Sequence, residues 1–426
     1  MGTSRDHDTS VVVPAIDVAS STACLRSLGR SGIRTIAVSE LDDPPGFRSK
    51  YADETVSTPD PCEDISAYAE ALLSLAKRED VLTIVPLRET DVFALAKRRG
   101  AFEAHVETPW PDLDTLRGAQ DRIELFEAAA EAGVSAPETA SFDDWTDWDV
   151  EVVVKPRYTL PTPEYVGKEA ASAFPQRSTT YVEPGRTPDR DELVAEMGHV
   201  PLVQEYVPDT SEYGFFALYD EGEAVATFQH RQRRGYKYCG GPSAYRESVD
   251  IPELDAAGRA LLDELDWHGL AMVEFLRNPE TGAFELMEVN PRFWSSLPFT
   301  VQAGVDFPDL YRSMAEGDLP DDPPEYEVGI AGHLLRGELL HLHSILFEDY
   351  PLVERPSFAE TASEVLGSVA DSPRFDYLSA DDPGPFVRDF ERVVEDALGT
   401  GSFPRIRAPR RASSPTAALG QLFSRG

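Results

Sequence analysis

Lysine is the residue this 426-residue sequence most nearly does without: six of its 39 basic residues are lysines, set against 76 acids, for a formal net charge of -37. An excess of negative charge this large repels phosphate backbones and anionic lipid, which argues against nucleic acid and membrane surfaces as partners. An acidic, lysine-poor surface is what a protein solvated in concentrated salt shows, because salt screens the self-repulsion. Cysteine is scarce too. Cys24, Cys62 and Cys239 lie far apart with no CxxC, which excludes a disulfide framework or a thiolate metal motif. No run of 18 apolar residues exists, and the start MGTSRDHDTS lacks the basic-then-apolar pattern of a signal peptide, so a cytoplasmic protein is expected. No GxGxxG follows the first apolar run, where PAIDVASS stands instead, and a dinucleotide-binding reading fails on that ground.

What is present is a globular chain, 41% hydrophobic, long enough for about three units at roughly 150 residues each. The first hundred residues alternate apolar runs (11–16, 34–39, 81–87) with helical spacing, including a helix with Ser20 or Ser21 as N-cap and helices at 63–78 and 89–98. That alternation predicts a parallel, doubly wound sheet. A helix at 119–131 follows, then strand 150–156, then an aperiodic Pro/Thr-rich stretch, 157–188, read as a long mobile loop. A helix near 189–197, strand 201–207, two strands joined by DEGE, a loop re-entering a strand at CGGPSAYRESV, an amphipathic helix and a hairpin predict an antiparallel α+β unit. The final residues are basic and Ser/Pro-rich and are expected to be disordered.

FELMEVNPRFW (284–294) carries the chemistry. Glu288, Asn290 and Arg292 occupy alternate positions of one strand. Centring the turn NPETG on Thr281 sets Glu274 opposite Glu288 on one face, with Asn290 beside them. Two facing carboxylates repel unless a cation sits between them, and Mg2+ accepts one or two carboxylates plus an amide oxygen while keeping positions for water and phosphate. A solvated sheet face would also carry Glu and Asn, but AMVEF and LMEVN set these acids among large apolar residues. Arg292 suits a phosphate or carboxylate in the same space. Lys155 closes the apolar run VEVVVK before Pro156, where it either snorkels or holds a phosphate. The end of LVQEYV offers backbone groups to an adenine edge, with Glu212 nearby for ribose hydroxyls.

In this order the segments DRIELFEAAAEAGVSAPET, VVVKP, VQEYVPDTSEYG, AMVEF and LMEVNPRFW resemble the ATP-grasp superfamily, in particular its carboxylate-amine ligase-like members, over roughly residues 10–315. The resemblance implies an α/β and α+β multidomain chain: an ATP-grasp fold behind a doubly wound, parallel-sheet pre-ATP-grasp domain. The divisions would be 1–115, a small lobe with a lid loop at 116–200, a large lobe with the metal hairpin at 201–318, a C-terminal extension at 319–398 and a basic tail at 399–426. It further implies that Arg122 stands where these proteins carry a first phosphate-binding lysine, in an Asp121-Arg122 pair. Lys155 would be the second, Gln204, Glu205 and Val207 the adenine linker, and Glu212 the ribose acid. Glu274, Glu288 and Asn290 would ligate Mg2+ or Mn2+, and Arg292 would face the transferred phosphoryl group or acyl intermediate. The lid departs from the pattern, since 157–182 contains Gly167 as its only glycine.

The resemblance implies an ATP-dependent carboxylate-amine or carboxylate-thiol ligase working through an acyl phosphate. A nucleotide-binding protein with little catalysis and a small-molecule kinase are the alternatives. The partners would be a small-molecule carboxylate and amine, with a homodimer possible. For substrate contact the basic residues after the linker are candidates, namely His230, Arg231, Lys237, Arg246 and above all Arg233, which alternates in phase with Arg231. Near the C-terminus His333, His341 and His343 fall on no common helix face with an acid and are read as satisfied or exposed rather than as a metal cluster.

Overall fold

The computed structural model describes residues 9–162, 165–166, 179–207, 211–350 and 353–400. Short runs of apolar, β-branched residues make the first sheet. β1 (Ser10–Pro14), β2 (Arg34–Ser39), β3 (Glu54–Ser57) and β4 (Val81–Ile84) pair in parallel in the order β3-β2-β1-β4. All of β1 is buried, and its alternating side chains enter two cores. Val11 and Val13 pack with the helix Ala19–Arg30, whereas Val12 packs with helices Ile65–Ala76 and Glu89–Lys97. Both faces of the sheet are thereby covered, as in a doubly wound domain.

Local chemistry sets the turns. The expected serine cap is not at the helix start: Val18 holds the cap position, and Ser21, one turn in, accepts from Ile16 N–H and donates to Pro14 O, each at 3.0 Å. Its hydroxyl ties the strand end to the helix instead of capping it. β4 ends three residues short of the expected strand because Asp91 Oδ2 accepts the N–H groups of Leu87 and Arg88 at 3.0 and 2.9 Å and turns the chain into the helix Glu89–Lys97.

A second, antiparallel sheet has the order β5-β8-β6-β7, formed by β5 (Thr139–Ser141), β6 (Val152–Lys155), β7 (Thr180–Val182) and β8 (Leu202–Glu205), with Leu193 and Met197 of the helix Arg190–Met197 in its core. The described parts of the stretch expected as a mobile loop are built in. Leu160 joins a core with Trp110 and Leu116, Thr162 is fully buried, Tyr158 stacks on Tyr165 at 4.3 Å, and β7 completes the sheet. Residues 163–164 and 167–178, with Gly167, lie outside the described residues.

The third sheet is six-stranded and antiparallel, in the order β13-β12-β9-β10-β11-β14. Its members are β9 (Ser211–Asp220), β10 (Glu223–Lys237), β11 (Gly240–Ser248), β12 (Gly269–Arg277), β13 (Phe284–Asn290) and β14 (Ala331–His333). CGGPSAYRESV re-enters a strand as expected, through a tight hairpin that pairs Lys237 with Gly240. One face (Phe215, Ala217, Val273, Val289) packs on the helix Pro252–Glu264, and the other (Phe216, Leu218, Phe228, Leu270) packs on the first domain's core beside Val11 and Cys24. β14 belongs to the C-terminal extension, which the sequence left without a role. It pairs with β11, Tyr245 opposite His333, and leads into helices Leu335–Phe347, Phe358–Asp371 and Gly384–Thr400. The last of these takes in Gly399 and Thr400, expected to belong to the tail; 401–426 lie outside the described residues. Among the described residues no helix is long and apolar enough to cross a membrane.

Candidate nucleotide and metal site

Glu274 and Glu288 are directly opposite across β12 and β13, and Asn290 is opposite Met272 on the same face. The expected register holds there for an unexpected reason. Nearer the turn Phe275 faces Leu286, one residue out of step with a turn centred on Thr281, and a bulge at Met287 restores the pairing at Glu288. The shared face is apolar at Leu270, Met272 and Phe216 and turns acidic at Glu274, so the acids stand where the sheet leaves the core.

Three cations converge on these acids. Arg122 opens the helix Arg122–Glu131, capped by Asp121, and its guanidinium donates to Glu288 Oε2 and to Pro156 O, both at 2.9 Å. Lys155 Nζ, at the end of β6, donates to Gln204 Oε1 of β8 at 2.8 Å, and Gln204 Nε2 donates to Thr139 Oγ1 at 2.9 Å. Arg292 donates through Nη2 to Asn290 Oδ1 at 2.8 Å and through Nε to Glu89 Oε1 at 3.1 Å. Burial, then Arg122, pushes Lys155 down to about 8. Burial and the facing charge of Glu288 raise Glu274, whereas Arg122, Lys155 and Arg292 outweigh burial at Glu288 and hold it below the usual carboxylate range.

A half-buried, opposed carboxylate pair fits a cation between its members. Among the described residues no group of three or more His, Cys, Asp or Glu side chains is placed to hold a metal, so a cage of the zinc or calcium kind is absent there. Two carboxylates and an amide suit Mg2+, which fills its remaining positions with water and phosphate oxygens. Asn290 turns its Nδ2 toward Glu274 and Glu288, at 3.3 and 3.4 Å, while Oδ1 faces Arg292. To ligate, its amide must rotate so that Oδ1 faces the glutamates.

The residues expected on the adenine side lie along and just after β8. Gln204 is buried, Glu205 exposed, and Val207 half-buried at the last residue described before 211. Glu212 lies on the same face as Glu274 and accepts from Gln232 Nε2; burial pushes it up to about 7. Gly240 comes so close that a Cβ there would lie 2.6 Å from Glu212 Oε1.

Arg233 does not join the site. Its phase with Arg231 is real, but that phase belongs to the face of Tyr213, away from Glu274, and Arg233 is exposed and paired with Glu247. Arg231 packs over Tyr213, and Lys237 lies 3.4 Å from Glu348. His230 and Arg246 are on the hairpin's face but lie in the core around Phe216 and Phe299, Arg246 paired with Asp376. His333 and His341 are bonded to Glu338 and to Gly235 O at 2.7 and 2.8 Å.

Sequence reasoning missed Glu89, which comes from the first domain to meet Arg292, and the backbone bond from Phe293 N–H to Pro86 O at 3.1 Å beside it. One signal was available: PLRET ends a parallel strand, and ligands of open α/β sheets bind outside the carboxyl ends of their strands.

No protein-family model and no curated protein matches the chain. Solved structures do. N5-carboxyaminoimidazole synthetase from Staphylococcus aureus superposes with a TM-score of 0.58 at 14% identity, over 84% of this chain and 96% of that one. The biotin carboxylase domain dimer of Hydrogenobacter thermophilus 2-oxoglutarate carboxylase, in complex with MgADP, ADP and bicarbonate, gives 0.57 at 16% over 76% and 73%. L-amino acid ligase from Bacillus licheniformis gives 0.52 at 15% over 74% and 77%. Of the Rhizobium etli pyruvate carboxylase the chain spans only 27%, with 72% of its own length matched, a TM-score of 0.54 and 16% identity. At such identities the likeness is one of fold, and that fold is ATP-grasp, preceded by a parallel α/β domain.

Proposed function

We propose that this chain is an ATP-dependent ligase that activates a small-molecule carboxylate as an acyl phosphate and joins it to an amine or thiol. The observation that carries the reading is the convergence of Glu274, Glu288 and Asn290 with Arg122, Lys155 and Arg292 at one corner of one sheet. Its closest functional support is that the similar folds include an L-amino acid ligase and a carboxylase domain holding MgADP and bicarbonate.

In this reading Glu274, Glu288 and Asn290 hold Mg2+, or Mn2+ in its place, and the ion when bound neutralises charge on phosphoryl oxygens. Lys155, steered by Gln204, takes the phosphate nearest the adenine, while backbone groups of Glu205 and Val207 meet the base and Glu212 meets the ribose. Arg122 leaves Glu288 for the phosphates. Arg292 faces the reacting carboxylate and offsets the charge that develops on it. In the second half-reaction a bond forms from the acceptor nitrogen or sulfur to the carbonyl carbon, the C–O bond to phosphate breaks, and the acceptor's proton passes to solvent. Residues 1–115, 116–200 and 201–318 then act as substrate-side domain, small lobe and large lobe, with 319–398 bracing the large lobe.

Purified protein in high salt, given ATP, Mg2+ and a pool of small carboxylates and amines, should release phosphate only when a carboxylate is present. Nucleotide binding without stimulated release would leave a binding module, and a stable phosphorylated hydroxyl compound would make it a kinase.

A further inference from the structure

The tip of the hairpin joining β10 to β11 has no task in the reaction just described, yet it is held from both sides. Lys237 pairs with Gly240, and Gly240 and Gly241 take φ of 120° and 89°, backbone that a residue with a Cβ rarely adopts. On its inner side the tip meets Glu212. A Cβ on Gly240 would stand 2.6 Å from Glu212 Oε1, and Gln232 Nε2 donates both to Glu212 Oε2 and, at 3.0 Å, to Gly241 O. One side-chain amide thus ties the acid to the tip.

On its outer side the C-terminal extension grips it. Tyr238 N–H donates to Ser344 Oγ of the helix Leu335–Phe347 at 3.0 Å, Tyr350 N–H donates to Tyr238 Oη at 3.1 Å, and the two tyrosine rings meet edge to face at 5.0 Å. Lys237 Nζ lies 3.4 Å from Glu348, and His341 Nδ1 bonds Gly235 O at 2.8 Å. An ionised carboxylate has about four lone-pair sites, so Gln232 leaves others for a ligand's donors, and the direction in which they point depends on what backs the group. At Glu212 that backing is the tip. We propose that Tyr238 is a positioning residue for nucleotide recognition: anchored on Ser344 and Tyr350, it holds the Gly240–Gly241 tip and Gln232 so that the Glu212 carboxylate is presented to a nucleotide's ribose hydroxyls. The inference rests on the assignment of Glu212 to the ribose in the reading above. It gives the extension a part in recognition as well as in stability.

The full chain is titrated calorimetrically with MgADP and with the magnesium salt of 2′,3′-dideoxyADP, which lacks both ribose hydroxyls. Wild type should bind MgADP about tenfold or more tightly than the dideoxy nucleotide, and Glu212→Gln should erase most of that preference. Tyr238→Ala should raise Kd for MgADP about fivefold and leave Kd for the dideoxy nucleotide unchanged, because only the hydroxyl contacts depend on the tip. Added to Glu212→Gln, it should weaken MgADP no further. Tyr238→Phe, which keeps the ring on Tyr350 and loses the hydroxyl, should move the same way by about twofold, and it decides the matter if the alanine variant does not fold. Equal weakening of both nucleotides would mean that Tyr238 only stabilises the fold. That result, or unchanged MgADP binding, overturns the inference and leaves Glu212 at the ribose. Equal binding of the two nucleotides by the wild type removes Glu212 from the ribose, and the inference with it, while the metal hairpin stands.

Discussion

Arg122 and Glu288 are 166 residues apart in sequence and joined by a 2.9 Å hydrogen bond, so the first turn of the helix Arg122–Glu131 closes directly on the hairpin acid. The same pair appears as the main attraction holding Glu288 ionised. Arg122 thus occupies a Glu288 oxygen that the proposed Mg2+ would claim.

Substituting either member should therefore have unequal effects on activity and stability. Glu288→Gln should lower ATP turnover by roughly 10²- to 10³-fold, the range for loss of a preorganised electrostatic group. Arg122→Met should weaken nucleotide binding and leave Glu288 without its main counter-charge. A double-mutant cycle on denaturant unfolding should give a coupling of about 0.5–3 kcal/mol, as expected for partners in direct contact. Full turnover in Glu288→Gln would remove the residue from the site.

Lys155 sets a pH dependence. Its folded value, about 8, lies below its ordinary 10.5, so its charged form is disfavoured by the fold. The protein should accordingly gain stability from this group as pH rises from about 8 toward 10.5, once the folded state has shed the proton that the unfolded chain still keeps. Binding runs the other way, because a phosphate needs the ammonium: nucleotide affinity should fall as pH rises through about 8. Lys155→Arg should flatten that profile, since arginine stays charged, and calorimetric titration at several pH values measures both. Lys155→Ala should cost about 2 kcal/mol or more of nucleotide binding at neutral pH.

Glu212 yields the opposite sign. Its value is raised to about 7 by burial, so its contribution to stability is present below about 4.5 and is lost as pH rises through about 7. Glu212→Gln should melt higher than wild type at pH 8, with the difference shrinking toward pH 5, and should bind nucleotide more weakly if Glu212 meets the ribose. Melting curves across that range, beside a binding titration, separate the two effects.

Local periodicity and turn chemistry made β1, β2, the helix Pro252–Glu264 and the acid pair legible, because each depends on neighbours in sequence. The Glu274–Glu288 pairing could be counted from the turn even though a bulge, invisible in the sequence, was needed to keep it. What failed were judgements that need the third dimension. Arg233 alternates correctly, yet which face of β10 looks toward the hairpin is fixed by pairing through β9 and β12. Glu89 sits 203 residues from Arg292 and meets it only because the first domain docks Pro86 against Phe293. The stretch after Pro156 looked loop-like for want of period, but Leu160 and Thr162 are buried by distant partners.

The C-terminal extension should prove part of the catalytic fold rather than an appendage. Arg246 and Asp376, at 0% and 1% side-chain exposure, pair across the boundary between β11 and the extension. Nearby Glu338 accepts from Arg234 at 2.9 and 3.0 Å and bonds His333, while on the first domain Asp382 accepts from Arg26 Nε at 2.9 Å and Ser49 Oγ at 2.8 Å. The extension thus grips both the six-stranded sheet and the first domain, whose Glu89 must reach Arg292. Breaking the buried pair by Asp376→Asn should cost about 3–5 kcal/mol, because Arg246 is left buried without its counter-charge. Replacing both residues with apolar side chains of similar volume should cost less than either single change, which denaturant titration of the three variants decides. The least stable single variant should also lose carboxylate-stimulated turnover before it loses nucleotide binding, since the nucleotide's candidate contacts at Lys155 and Gln204 lie in the separate β5-β8-β6-β7 sheet. Parallel loss of both activities would mean that the extension stabilises the whole chain without setting the position of the first domain.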